Sequence, residues 1–160
     1  MTLKSSFLFF LVFLFFSCDK KQVFDAYENT GTSWGEKEVV TFDFDAPDTT
    51  KTYDLIINVR NNNDYEFSNL FLIVALESSN GDLKVDTLEY TMTRPDGSFL
   101  GTGFSDVKEN KLLYKENHRF DTLGTHKVKI EQAVRKRGNI VGEEPLQGIT
   151  DIGFRIEKKQ

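Results

Sequence analysis

Apolar and polar residues alternate with a period of two along much of this chain, which is the pattern of half-buried β-strands. Residues 40–45 place three apolar side chains on one face, and residues 53–60 repeat the arrangement. Residues 70–76 are apolar throughout, which predicts a strand covered on both faces. Further alternating segments lie at 83–92, 126–134 and 152–156. After residue 17 no apolar period of 3.6 is sustained, so the pattern predicts strands rather than helices.

Turn-forming residues separate these segments. Residues 61–64 are rich in Asn, Asn80-Gly81 is a strong hairpin signal, and residues 94–97 combine Pro with Gly. About eight strands at regular spacing are typical of two packed antiparallel sheets. The sequence therefore predicts an all-β fold, a single antiparallel β-sandwich of jelly-roll or immunoglobulin-like type. The strand order stays open.

The first seventeen residues break this pattern. Residues 7–16 are all apolar, with Lys4 before them and Ser17 and Cys18 after them. Ten helical residues span about 15 Å, half of a bilayer core of about 30 Å, so a transmembrane helix is not predicted. A basic start, a short apolar run and a small residue before the cut are typical of a secretory signal peptide.

The cut between Ser17 and Cys18 resembles the lipobox of bacterial lipoproteins. That resemblance implies a diacylglycerol thioether on the Cys18 sulfur and an acyl group, such as palmitate, on its new amino terminus. Phe15 and Phe16 depart from the small or aliphatic residues usual there. An ordinary secretory signal that happens to abut a cysteine is the alternative.

Three parts of the chain follow from this interpretation. Residues 1–17 are a lipoprotein signal peptide, 18–36 a lipid-anchored N-terminal tether, and 37–160 the β-sandwich domain. The tether is expected to join the sheet late, with Val23, Phe24, Tyr27 and Trp34 packing against it. Two or three acyl chains, at about 0.8 kcal/mol per buried CH₂, would make release from the membrane negligible.

Composition narrows the function classes. The chain has 160 residues, one Cys, two His and a formal net charge of −5. A single Cys excludes an internal disulfide and the common cysteine-based zinc sites. An acidic chain lacks the basic field that nucleic-acid binding needs, so no nucleic-acid partner is predicted. With its thiol in a thioether, the mature chain would carry out no thiol chemistry.

The chain offers little that points to catalysis, and no catalytic residue, cofactor or small-molecule substrate is predicted. His118 and His126 are interpreted as surface or strand-edge residues, because nothing near them has metal-ligand spacing. Asp43 and Asp45 share a strand face and are interpreted as solvated charges, although with Asp48 they leave a calcium site open. No Glu stands two residues before an Asp, which argues against a jelly-roll glycosidase.

Three other features have ordinary structural explanations. Residues 101–105 are interpreted as a glycine-rich turn rather than a phosphate loop. Residues 135–137, Arg-Lys-Arg, either contact lipid A or another anionic partner, or keep a charged hairpin tip soluble. Trp34 and the strand tyrosines are expected to pack in the sheet rather than form a sugar platform.

Longer polar strings resemble one family over nearly the whole mature chain. Cys18, Val23, Phe24, Tyr27 and Trp34 look like the start of the gliding-motility lipoprotein GldH family, and so do the segments at 57–62, 67–72, 85–90, 95–97, 101–106, 132–135 and 148–156. The resemblance implies a lipoprotein needed by the gliding apparatus, a machine linked to type IX secretion. It brings no enzymatic activity, cofactor or ligand, and only Cys18 carries over as a functional residue.

The resulting hypothesis is a lipid-anchored, non-enzymatic cell-envelope component required for bacterial gliding motility, held in the outer membrane with other gliding or secretion proteins as partners. A jelly-roll carbohydrate-binding lipoprotein is the alternative, and a hydrolase with a non-linear carboxylate site is the third. The identity of the partners and the membrane face that the protein occupies stay open.

Overall fold

The computed structural model describes residues 20–133 and 145–159, and these residues form β-strands without any helix. Ten strands follow in chain order: β1 (Gln22–Asn29), β2 (Ser33–Trp34), β3 (Val40–Asp45), β4 (Tyr53–Asn61), β5 (Asn69–Glu77), β6 (Leu83–Thr91), β7 (Lys108–His118), β8 (Thr125–Gln132), β9 (Leu146–Gln147) and β10 (Ile149–Lys158). The predicted all-β class is confirmed.

Two four-stranded sheets and one short strand pair make up the fold. The first sheet has the order β1-β10-β4-β7, the second has the order β3-β8-β5-β6, and β2 pairs with β9. Every strand pair is antiparallel. Two sheets with this interleaved order form a jelly-roll sandwich, so the predicted antiparallel sandwich is confirmed in its jelly-roll form.

Aromatic side chains from both sheets meet in the core. Phe154 of β10 is fully buried, and its ring centroid lies 5.4 Å from that of Phe44, 6.3 Å from that of Phe42 and 6.2 Å from that of Phe24. Phe42 and Phe44 point inward because β3 alternates buried and exposed residues, as its sequence predicts. The rings hold the sheets together by burying large apolar areas at favourable tilts.

The prediction that residues 70–76 are covered on both faces is wrong. Strand β5 alternates strictly between buried and partly exposed residues, because its outer face has no layer above it. Strands β4 and β10 are instead covered on both faces, and Ile56, Asn58 and Arg155 on their outer face are nearly inaccessible. On this face Arg155 is hydrogen-bonded to Asp25 and Glu157, and the Tyr27 ring lies over Gly153. Apolar periodicity does not reveal such cover.

The segment predicted as a tether contributes two strands. Within it, β1 pairs with β10 from Gln22 to Asn29, and Phe24 and Ala26 pack against the core. Trp34 of β2 is completely buried, and its Nε1 donates a hydrogen bond to the Glu38 carbonyl oxygen at 2.9 Å. The packing of this segment against the sheet is thus observed, and regular pairing begins four residues after Cys18.

The two ends of the sandwich differ in what they carry. The basal end, where the described chain starts, carries residues 20–21, the connections 46–52, 78–82 and 119–124, and residues 158–159. The distal end carries the connections 30–39, 62–68 and 92–107. Strands of eight to eleven residues separate the ends by about 30 Å. For the residues that the structure describes, no helix is long and apolar enough to cross a bilayer.

Candidate interaction surfaces

A loop at the distal end, residues 100–107, presents Phe104 to solvent. Its side chain is fully exposed, and the neighbouring Leu100 and Val107 are 43% and 38% exposed. Phenylalanine is among the residue types most often buried, so an isolated, fully exposed ring is unusual. Exposed aromatic anchors are typical of surfaces that bind other proteins.

The loop is held in a defined shape. Thr102 and Glu109 exchange two backbone hydrogen bonds, at 2.9 and 2.8 Å. The Lys108 ammonium donates to the Gly103 carbonyl oxygen at 3.0 Å. A Cβ on Gly103 would overlap the Val107 carbonyl oxygen, so the tight approach requires glycine. A loop ordered in advance loses little conformational entropy when a partner covers Phe104.

Charged groups line the cleft beside this loop. Arg60, Glu109 and Asp151 border an open cleft of about 500 Å³, with Phe104 at its rim. Asp151 also accepts a hydrogen bond from the Asn29 side chain at 3.0 Å. An apolar anchor beside a polar rim is the usual arrangement of a protein–protein contact.

Tyr27 links the outer face of the first sheet to the same cleft. Its hydroxyl donates to Glu109 Oε1 at 2.6 Å, and the Arg60 guanidinium lies 4.3 Å from the ring centroid. Burial, followed by the hydrogen bond to Glu109, raises the pKa of Tyr27. The ring crosses over Gly153, where a Cβ would lie 2.7 Å from a ring carbon. The sequence predicted packing for Tyr27 but gave no sign of this position.

Arg155 joins three strands on the same outer face. Its Nη1 donates to Asp25 Oδ2 at 2.7 Å and its Nε donates to Glu157 Oε1 at 2.6 Å. Glu157 also receives a hydrogen bond from the Lys111 ammonium at 2.8 Å. With Arg155 only 9% exposed, removing one partner would leave a buried charge, which is costly. This network therefore fixes the register of β1 against β10 and offers little to a ligand.

One of the two histidines does not lie where the sequence predicts it. His126 is buried, with its ring 5.2 Å from that of Phe120, and His118 contacts the other side of the same cluster at 4.7 Å. His126 Nδ1 lies 3.0 Å from the Gly124 carbonyl oxygen. The prediction of a surface or strand-edge histidine is wrong for His126, because β8 turns that residue inward toward Phe44.

The carboxylates that left a calcium site open are spread out. Asp43 lies 3.7 Å from the Lys127 ammonium and Asp45 accepts a hydrogen bond from Thr125. Asp48 accepts bonds from the Tyr53 hydroxyl and from backbone N–H groups of its own loop, which lower its pKa to about 2. Among the residues that the structure describes, no group of three potential metal ligands comes together.

Other predicted features are placed as follows. Trp34 lies in the core, so the chain's one tryptophan is not part of a sugar platform. Residues 101–105 form the glycine-dependent part of the Phe104 loop rather than a phosphate loop. The cleavage site at Ser17 and Cys18 and the basic residues 135–137 lie outside the described residues. The lipid anchor and its site therefore stay predictions.

The pH dependence of folding should reveal the environment of His118. Burial, followed by the nearby Lys115 and Lys84, lowers its pKa from 6.5 to about 4. Between these values the unfolded chain binds a proton that the folded chain does not, so stability falls as the pH drops from 6.5 toward 4. The full shift corresponds to about 3.4 kcal/mol, and because His118 is only half-buried, solvent screening reduces the expected loss in the free energy of unfolding to about 2 kcal/mol.

Urea unfolding across this pH range measures the loss. His118→Gln should flatten the profile between pH 6.5 and 4, since glutamine does not titrate. An unchanged profile in this variant would assign the pH dependence to other groups.

The fold and these surfaces define a class: a jelly-roll domain that carries a loop suited to protein contact. A family model described as "GldH lipoprotein" matches residues 22–156. The chain is 56% identical over 155 residues to the gliding motility lipoprotein GldH of Flavobacterium johnsoniae, covering 97% of this chain and 96% of that protein. It is also 56% identical over 155 residues to the GldH homolog of Christiangramia forsetii, covering 96% and 95%. The chain belongs to the GldH lipoprotein family.

Among solved structures, the chain is similar to the VP2 subviral particle of infectious bursal disease virus. The TM-score is 0.37 and the identity 13%, over 88% of this chain and 34% of that one. The family membership confirms the resemblance seen in the sequence and supports a lipoprotein with a role in gliding motility.

Proposed function

We propose that this chain is a non-enzymatic component of the gliding machinery, attached to the outer membrane by acyl groups on Cys18 and associated with type IX secretion. Membership of the GldH lipoprotein family carries the proposal, since a lipoprotein needs an acylated cysteine and Cys18 is the only cysteine in the chain. The short apolar run before it supports a cleaved signal peptide.

The arrangement of the described side chains supports a role in binding rather than catalysis. The histidines pack against Phe120, and the carboxylates named above are held in ion pairs, in turns or in hydrogen bonds to neighbouring side chains. The pre-ordered loop around Phe104 instead offers a contact site for another envelope protein. An anchor that confines this loop near its partners raises their effective concentration, so modest contacts suffice.

Replacing Cys18 tests the anchor. In cells fed radiolabelled palmitate, Cys18→Ala should carry no label, should be recovered in the soluble fraction, and should fail to support gliding. The reason is that acyl chains supply nearly all of the membrane affinity. Ser17→Ala, which keeps a small residue before the cut, is the matched control and should be labelled and functional. A folded Cys18→Ala protein that supports normal gliding would refute the role of the anchor.

A further inference from the structure

The basal end of the sandwich is unusually basic for an acidic chain. Its connections and chain ends carry five cationic residues: Lys20, Lys21, Lys51, Arg119 and Lys159. Against them stand three acidic residues, Asp48, Asp82 and Asp121, which leaves a formal charge of +2. These five cationic residues and Lys158, the last residue of β10, are exposed. This concentration of charge is what a phosphate-rich surface would attract.

The distal end has the opposite sign. Its described connections carry six acidic residues against two basic ones, which leaves −4: Glu36, Glu38, Asp64, Glu66, Asp96 and Asp106 against Lys37 and Arg94. Among the described residues, the connections at the two ends therefore differ in the sign of their charge over a length of about 30 Å. Beside an anionic surface such a charge distribution favours one orientation, with the basal end inward.

The basic residues form a cluster around a concavity. Lys51, Arg119, Lys158 and Lys159 line a cleft of about 470 Å³ that also includes Tyr53. They come from three separate parts of the chain, brought together because β3, β7 and β10 all end here. Two of these cations have acidic neighbours: the Lys51 ammonium lies 3.9 Å from Asp48 Oδ2, and the Lys159 ammonium lies 2.9 Å from Glu116 Oε1. Asp48 also accepts a hydrogen bond from the Tyr53 hydroxyl. Both ion pairs are largely exposed, where such pairs are weak and lipid phosphates can replace the carboxylates.

Exposed leucines lie at the same end. Leu123, in the connection between β7 and β8, is 63% exposed, and Leu83, at the start of β6, is 59% exposed. Ser79 donates a hydrogen bond to the Leu123 carbonyl oxygen at 2.6 Å, which ties the two connections together. Basic residues combined with exposed apolar side chains are typical of surfaces that lie against lipid headgroups.

The length of the tether brings this end to the membrane. Three residue steps separate Cys18 from Lys21, and a fully extended chain covers at most about 11 Å over them. The Lys21 carbonyl oxygen accepts a hydrogen bond from the Lys158 backbone at 2.8 Å, so the chain is already fixed to the domain there. Lipids on Cys18 would therefore hold the basal end within about one headgroup layer of the bilayer.

The geometry points to a second membrane contact: the cluster of Lys51, Arg119, Lys158 and Lys159 binds the phosphates of anionic phospholipids in the membrane that holds the Cys18 acyl chains. This inference rests on the proposed lipid anchor. The contact fixes the orientation of the sandwich and points Phe104 away from the bilayer, about 30 Å above it. The anchor supplies attachment, and the basic cluster supplies orientation.

A fluorescent probe on the lipidated mature protein tests this orientation. Because acylation uses the native thiol, Leu123→Cys offers a single site for an environment-sensitive dye, and Phe104→Cys provides the matched distal site. The proteins are reconstituted into vesicles of phosphatidylethanolamine and phosphatidylglycerol that contain a headgroup quencher. We expect strong quenching at 123 and little at 104. Equal quenching at both positions would overturn the proposal.

Charge variants test the role of the cations. The first variant removes three cations of the cluster: Lys51→Gln/Arg119→Gln/Lys158→Gln. It should lower the ratio of molecules whose basal end contacts the bilayer to molecules without this contact about fivefold per cation, or roughly a hundredfold in total. Lys37→Gln/Arg94→Gln/Lys129→Gln removes the same charge away from the basal end and should leave the ratio nearly unchanged. All six side chains lie at the surface, so circular dichroism and the unfolding midpoint should confirm that both variants are folded.

The lipid composition separates the remaining outcomes. Loss of quenching at 123 in phosphatidylcholine vesicles supports the proposal, while quenching independent of phosphatidylglycerol overturns it. Quenching that requires lipopolysaccharide would assign the cluster to lipid A phosphates and overturn the choice of phospholipid. A failure of the proposed lipid anchor would be detected separately, because the palmitate experiment would then show no label on the protein. That result is obtained before the fluorescence of the probes is measured.

Discussion

Replacing Gly148 with alanine is expected to lower the free energy of unfolding by about 3 to 5 kcal/mol, enough to leave the protein marginally stable. Gly148 has a φ of +81°, which costs an alanine about 1–2 kcal/mol. An added Cβ would also overlap the backbone nitrogen of Tyr65 and lie 2.7 Å from the carbonyl carbon of Asp64. These neighbours are backbone atoms and cannot rotate away.

The position of Gly148 explains why the effect should spread. Its N–H donates to the Thr32 carbonyl oxygen at 3.0 Å, and its own carbonyl accepts from the Asn62 N–H at 2.8 Å. These bonds hold the β2–β9 pair, which places Trp34 and Leu146 over the distal end of the core. Moving residue 148 would therefore loosen the cover of the core as well.

Gly97→Ala is the matched control for this prediction. Gly97 has a similar φ of +85°, but nothing lies within 4 Å of an added Cβ. Only the backbone cost of about 1–2 kcal/mol applies there. Urea unfolding of both variants measures the difference, and equal destabilisation would show that residue 148 does not approach residues 64 and 65 closely.

The second large effect is expected for Phe154→Ala, which should cost about 3 to 5 kcal/mol. Phe154 is fully buried and contacts Phe24, Phe42 and Phe44, so truncation leaves a cavity between the two sheets. The surrounding strands are held by their ladders and can close this cavity only in part. Thermal unfolding should show a fall in Tm of about 10 °C or more.

Phe104→Ala is the matched control, because it makes the same substitution at an exposed position. Because Phe104 is fully exposed, its removal should change the free energy of unfolding by no more than about 0.5 kcal/mol. If the loop binds a partner, this variant should instead lose proteins captured from crosslinked cells. Capture lost with Phe154→Ala alone, and kept with Phe104→Ala, would contradict the role given to the loop.

The prediction of strands from alternation succeeded where one face of a strand meets the core. Residues 40–45 became β3, whose single apolar face meets the core. Residues 53–60 became β4 as predicted, but this strand is covered on both faces rather than half-buried. The prediction from alternation was wrong for the outer faces of some strands. A run of apolar residues in β5 is partly exposed, while Asn58 and Arg155 are buried by neighbours distant in sequence.

The candidate site could be predicted only in part, for the same reason. Phe104 lies in a glycine-rich turn that the sequence shows, but its exposure depends on how Lys108 and Gly103 hold the loop. Tyr27 reaches Glu109, which is 82 residues away in sequence. The basic cluster at the basal end combines residues from three parts of the chain, and no local pattern joins them.

By itself, the sequence determined the all-β class and the positions of most strands, because each depends on residues that are neighbours along the chain. The secretion signal and the lipid anchor on Cys18 stay predictions from the same kind of local pattern. Only the tertiary structure decided the strand order, the burial of His126 and the opposite charges of the two ends. These depend on which distant segments become neighbours in an antiparallel sheet, and a jelly-roll brings together strands that lie far apart in sequence.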